Sequence, residues 1–187
     1  MKSLQLLSLH TVLFVVVSVM IFLPARANAG SAAEINASAR AALRRLLAQN
    51  PVAREVERHS SAVLIFPRIT KGGFVIGAQH GEGALLLRNG HVVYFNTAAA
   101  SYGLQAGIQQ FGYALFFING RAMEHLYSQG GWELGSAPSL VVVDKGIASS
   151  LSTTSLRKDI YAFFFDQKGL MGGMGLQGSK ITRIYPR

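Results

Sequence analysis

Near the C-terminus, Gly173, Gly175 and Gly178 stand in the spacing G-x-G-x-x-G. That spacing cradles a dinucleotide pyrophosphate where a strand turns into a helix. The context here does not suit that chemistry. Gly178 is followed by SKITRIYPR, which reads as a β-strand with a proline near its end. No length remains for a crossover helix, a further strand or a ribose-binding acid. Residue types that catalyse are sparse as well. The chain has no cysteine and no G-x-S-x-G nucleophile elbow. His59, His80, His91 and His125 lack metal-ligand spacing. His80 and Glu82 are two apart, and two such groups make neither a metal site nor a triad. The expectation is a non-enzymatic protein with no cofactor and no metal.

The chemistry the sequence does offer is anion binding. Arg68 and Lys71 bracket a short segment that reads as a turn after the first strand. Gly72 and Gly73 follow, and their backbone N–H groups could form an anion-binding concavity. Lys168 precedes the last glycine-rich stretch. Such cations make charge-assisted hydrogen bonds to phosphate oxygens. Arg40, Arg44 and Arg45 add nonspecific attraction to an anionic surface, about 1 kcal/mol per basic residue close to it. Each of these residues, taken singly, also fits a solvated charge that keeps the chain soluble.

The elements that carry these residues follow from periodicity. Ile35, Ala39, Ala42, Leu43, Leu46 and Leu47 recur at spacings of three and four, which predicts a helix over 32–49. Asn50-Pro51 then punctuates, with Asn50 as cap and Pro51 opening a second short helix. From Ser61 the pattern turns to strands. Ala62–Phe66 is an apolar run ended by Pro67, and Phe74–Gln79 is a second. Ala84–Arg88 and His91–Phe95 flank Asn89-Gly90, which predicts a hairpin with a type I′ turn. Ser101–Gln109 alternates as a strand, Ala114–Ile118 returns antiparallel, and Arg121–Ser128 reads as one short additional helix. Short strands complete the chain. The expected class is α+β: N-terminal helices followed by a large, strongly curved antiparallel sheet or barrel-like body. The bands Gly72/Gly73/Gly77/Gly81/Gly83, Gly103/Gly107 and Gly172–Gly178 are read as permitting that curvature, with a helix lying close on them.

Half of the 187 residues are hydrophobic and only 14% are charged, enough to bury one core and too apolar for disorder. Residues 1–29 read as an export signal. Lys2 opens the segment, Val12–Leu23 is apolar, Pro24 breaks it, and two A-x-A sites end at Ala27 and Ala29. The alternative is an apolar N-terminus retained as an anchor. Residues 30–187 then form a single domain, expected in the periplasm or secreted. The net charge of +9 stays strongly positive when Lys2 and Arg26 are removed. It points to an anionic partner. Nucleic acid is not expected, since no recognised motif for it is present.

Three blocks of residues carry a family resemblance. Ala62–Pro67 with Lys71-Gly72-Gly73-Phe74, Gly77, Gly81, Gly83 and Leu85-Leu86 resembles the opening signature of the SYLF domain. Ser101-Tyr102-Gly103-Leu104-Gln105-Ala106-Gly107 is similar to its central S-x-G-x-Q-x-G stretch. Lys168-Gly169-Leu170, Gly172, Leu176 and Gln177-Gly178-Ser179 resemble its closing motif. The resemblance implies a lipid-binding or scaffolding module. Eukaryotic members bind membranes through phosphoinositides, fungal members are linked to actin filaments, and bacterial relatives are small and exported. The expected function is therefore an exported, non-catalytic module that binds an anionic phospholipid membrane surface. The alternative is a structural domain that binds an envelope protein or actin.

Overall fold

The first described element is a helix built to start where it does. Ser31 accepts from the Glu34 amide while the Glu34 carboxylate takes the Ser31 amide and hydroxyl. This reciprocal capping box satisfies donors that the first helical turn leaves open. The Ser31 hydrogen bonds hold the Glu34 carboxyl below its ordinary range. Helix α1 runs Ala32–Gln49 and buries Ile35, Ala39, Ala42 and Leu46. Asn50 ends it by donating its N–H to Leu46, and its side chain accepts from the Ala53 amide to start helix α2, Pro51–Arg58. Asn50→Ala removes one cap, so the midpoint of thermal unfolding should fall by roughly 2–4 °C, about 1 kcal/mol.

The computed structural model describes residues 30–73, 76–102, 107–134, 140–143, 156–169 and 178–187. Residues 1–29, read above as an export signal, lie outside these, as do Phe74, Gly103 and 170–177 of the last glycine band. After the helices come β1 (Ala62–Gly73), β2 (Ile76–Leu87), β3 (Val92–Tyr102) and β4 (Gly107–Phe117). A 3-10 helix (Arg121–Tyr127) precedes β5 (Trp132–Leu134), β6 (Leu140–Val142), β7 (Ile160–Gly169) and β8 (Ser179–Ile184). The strands form one eight-stranded sheet in the order β5-β8-β3-β2-β1-β4-β7-β6, curled into a half-barrel. The expected α+β class and curved sheet are both present. Pairing is antiparallel except at one edge, where β6 joins β7 in parallel.

Both faces of the sheet are packed at one end, because strand residues alternate between faces. On the concave side Leu64, Phe66, Leu85, Phe95, Tyr113, Leu115 and Phe117 form one core with Trp132 and Leu126 of the 3-10 helix. On the outer side Val63, Ile65, Ala84, Ala114 and Phe116 pack under α1 and α2. This two-sided burial explains why Ala62–Phe66 reads as an unbroken apolar run.

Several boundaries differ from the sequence reading for one reason. Pro67 does not end the first strand. The register of β1 shifts by one residue between Ile65 and Arg68 against β2, and between Phe66 and Ile69 against β4. A β-bulge at Pro67 absorbs the residue that cannot donate to the ladder, and β1 continues to Gly73. The glycines opposite it have a local purpose too. A Cβ on Gly83 would fall on the Ile65 carbonyl oxygen and one on Gly81 would lie 2.8 Å from the Arg68 carbonyl oxygen. What approaches closely is strand β1, not the helix expected. The β2–β3 turn also differs. Gly90 donates to the Leu87 carbonyl at 3.0 Å, and Gly90 alone in that turn has positive φ, +87°. A turn followed by a left-handed glycine replaces the type I′ pair.

Inside the barrel Tyr113 donates to Thr97 at 3.1 Å with both side chains buried. Burial pushes the Tyr113 phenol well above its ordinary range, opposed by the Thr97 hydrogen bond. Unfolding releases that phenol to ionise near pH 10. Its contribution to stability is therefore complete below pH 10 and lost as pH rises beyond it. Tyr113→Phe should flatten this alkaline loss in urea unfolding measured from pH 8 to 11. At neutral pH it costs about 1–3 kcal/mol, because the Thr97 hydroxyl loses its partner.

Candidate anion-binding groove

Two bulges and one helix build a groove on the outer face. The first is the Pro67 bulge of β1, which leaves Arg68 exposed at the edge of α1. The second is in β7, where the register against β4 shifts between Gln110 and Gly112. Asp166 sits there with φ +51°, the one non-glycine residue with positive φ among those described. Aspartate tolerates this conformation better than most residues. The bulge aims its carboxylate at α1, where Arg45 donates from Nη2 at 2.9 Å and from Nε at 3.3 Å. Both partners are well exposed, with side-chain exposures of 50% and 35%. The pair positions the arginine more than it stabilises the fold.

Arg45, Pro67, Arg68, Gln110, Phe111, Asp166 and Lys168 together line a cavity of about 360 Å³. A second cavity of about 420 Å³ shares Arg45, Pro67 and Arg68 and continues along α1 past Glu34, Ser38 and Glu82 to Gly30. Glu82 lies opposite Arg68 in the ladder and accepts from the Gly30 N–H at 2.9 Å. Asp166 is engaged by Arg45. Among the described residues neither Arg68 nor Lys168 is in an ion pair. The 360 Å³ cavity thus holds three cations and one carboxylate, and that carboxylate is already partnered.

Three of the residues expected from sequence therefore meet here: Arg68, Lys168 and Arg45. The others are placed elsewhere. Lys71 is on β1 rather than at a turn, between Gln79 of β2 and Gln109 of β4. It faces the barrel interior with Ile69, whereas Arg68 faces outward, so the two cations lie on opposite sides of the sheet. Gly72 and Gly73 are paired on both sides, with Ala78 and Gly77 and with Ile108 and Gly107. A strand between two neighbours commits its N–H groups to them in alternation, and no backbone concavity forms there. Arg40 is exposed and donates to Asn36 at 2.9 Å. Arg44 is exposed on the outer surface of α1.

His80 and Glu82 both sit on β2. Arg88, which reads from sequence as a simple hairpin charge, donates to the carbonyls of Glu57, Arg58 and Ser60 and so closes the end of α2. Asp166 was the member of the groove that sequence reasoning missed. Its only signal is an acid interrupting the apolar run of β7. No group of histidine, aspartate and glutamate able to hold a metal ion occurs among the described residues.

No curated protein matches the chain. Residues 98–184 match the Ysc84 family, described as Las17-binding protein actin regulator. The matched span runs from the middle of β3 to the end of β8. It includes Asp166 and Lys168, while Arg45 and Arg68 precede it. With the curled sheet of the fold, this match is consistent with a member of the SYLF domain family.

Proposed function

We propose that this protein is an exported, non-catalytic module that binds anionic phospholipid through the groove beside α1. The observation that carries the reading is the convergence of Arg68 and Lys168, neither in an ion pair, with Arg45 on one cavity. Phosphate oxygens of a headgroup complete the coordination that these cations lack, and the bidentate geometry of arginine suits them. Arg40 and Arg44, on the same helix, add longer-range attraction. No described helix is long and apolar enough to cross a membrane, and the proposed attachment is at the surface.

Sedimentation with vesicles tests this. Binding to phosphatidylglycerol-containing vesicles should exceed binding to neutral phosphatidylcholine vesicles and weaken as salt rises from 50 to 300 mM. Equal, salt-insensitive binding to both would overturn it.

A second reading rests on the family description, in which the Las17-binding protein is an actin regulator. On this reading the module binds a protein filament or an envelope protein through the matched half of the sheet. Co-pelleting with filamentous actin, unaffected by anionic vesicles, would favour it.

A further inference from the structure

Among the described residues, helices cover the outer face of the sheet at only one end. Its packed members, among them Val63, Ile65, Ala84, Tyr94, Ala114 and Phe116, all lie under the helices. Beyond Arg68, no described helix packs on it. Residues directly opposite in a sheet share a face, so the register defines what is left bare. One row runs across seven strands as Lys168, Gln110, Thr70, His80, Ala98, Lys180 and Glu133. Lys168, Lys180 and Glu133 are exposed. Two residues further along β4 stands Ile108, 70% exposed, and four residues from His80 along β2 stands Ile76, 63% exposed. Between them β1 contributes only Gly72, whose missing Cβ would have touched Ile108 at 3.8 Å.

We propose that this end of the half-barrel is the membrane-seating tip, with Ile76 and Ile108 entering an anionic bilayer and Lys168 and Lys180 held at its headgroups. This rests on the phospholipid reading above and gives it an orientation. Charge complementarity selects the occupant. The exposed cations of this face are Arg68, Lys168 and Lys180, with Glu133 opposite Lys180 at the β5 edge. Its carboxylates near the groove are engaged, Glu82 by Gly30 and Asp166 by Arg45. The spacing also fits. Two residues of strand place Ile108 about 7 Å beyond the lysine row, within the ~5–10 Å by which interfacial apolar groups sink below the headgroups, and four place Ile76 about 14 Å beyond it, so that Ile76 enters deeper. Lysine stems can span the shorter offset while their ammonium groups stay in water.

The absence of cysteine makes a direct test available in the full chain. Ile76→Cys, Ile108→Cys and, at the opposite end of the strands, Asn89→Cys each carry one polarity-sensitive fluorophore. On vesicles of phosphatidylglycerol and phosphatidylcholine, the labels at 76 and 108 should shift to the blue and the label at 89 should not. The unlabelled double variant I76S/I108S should bind about tenfold more weakly with the same salt dependence. Binding to anionic vesicles without a shift at 76 and 108 overturns this orientation and leaves the phospholipid reading standing. No preference for anionic over neutral vesicles overturns both. A blue shift that grows with protein concentration in the absence of vesicles puts a second copy on this face and overturns the proposal.

Discussion

Replacing Gly83 with alanine is expected to lower the thermal midpoint by about 6–12 °C, a loss of roughly 3 kcal/mol. The reason is local and rigid. The added Cβ would fall on the carbonyl oxygen of Ile65 and 2.7 Å from Cδ1 of Phe66. Ile65 and Phe66 are wholly buried in the central strand, so neither the backbone nor the ring can withdraw cheaply. The same bulge that brings β1 against Gly83 also turns Arg68 outward, and the variant should therefore weaken vesicle binding along with stability. Gly120→Ala is the matched control. Nothing lies within 4 Å of its Cβ, and its φ of −64° suits any residue, so its midpoint should be unchanged or slightly raised. Equal effects at the two glycines would remove the close-approach account of the bulge.

Reversing the groove charges, Arg68→Glu with Lys168→Glu, should reduce affinity for phosphatidylglycerol vesicles on the order of a hundredfold at low salt. Each cation contributes about 1 kcal/mol near an anionic surface, and each introduced carboxylate repels by a similar amount, reduced by screening at these exposed positions. Stability should fall by about 1 kcal/mol or less, because neither residue is in an ion pair among those described but the new carboxylate at position 68 faces Glu82 across the ladder. Arg40→Glu with Arg44→Glu makes the same change in net charge on the outer surface of α1. It should cost about tenfold or less. Equal losses from the two pairs would mean that overall charge, not the groove, governs binding. Arg88 does not serve as a comparator, since reversing it would strip three carbonyls at the end of α2 of their donor.

Much of this architecture was legible in the chain because it depends on local signals. The spacing of Ile35, Ala39, Ala42 and Leu46 marked α1 and its buried face. Asn50-Pro51 marked the break between the helices. Asn89-Gly90 marked the turn between β2 and β3. The groove was only half legible. Arg68, Lys168 and Arg45 could be named as cations, but so could Lys71, and nothing local separates them. One inserted residue at Pro67 decides which face each takes, because side chains in a strand alternate with period two. Asp166 was invisible for a related reason: its role comes from a bulge that answers to β4 and α1, far away in sequence.

By itself the sequence determined the class of the fold, its basic character and the positions of its helices. Those properties are sums over composition or repeat within a few residues, so the chain states them directly. The tertiary structure alone decided which cations share a groove, which carboxylates are already engaged, and which end of the sheet the described helices cover. These depend on strand register and on contacts across long separations, Arg45 with Asp166 and Gly30 with Glu82. Register is settled only when the whole sheet packs, since a slip of one residue carries every side chain to the opposite face.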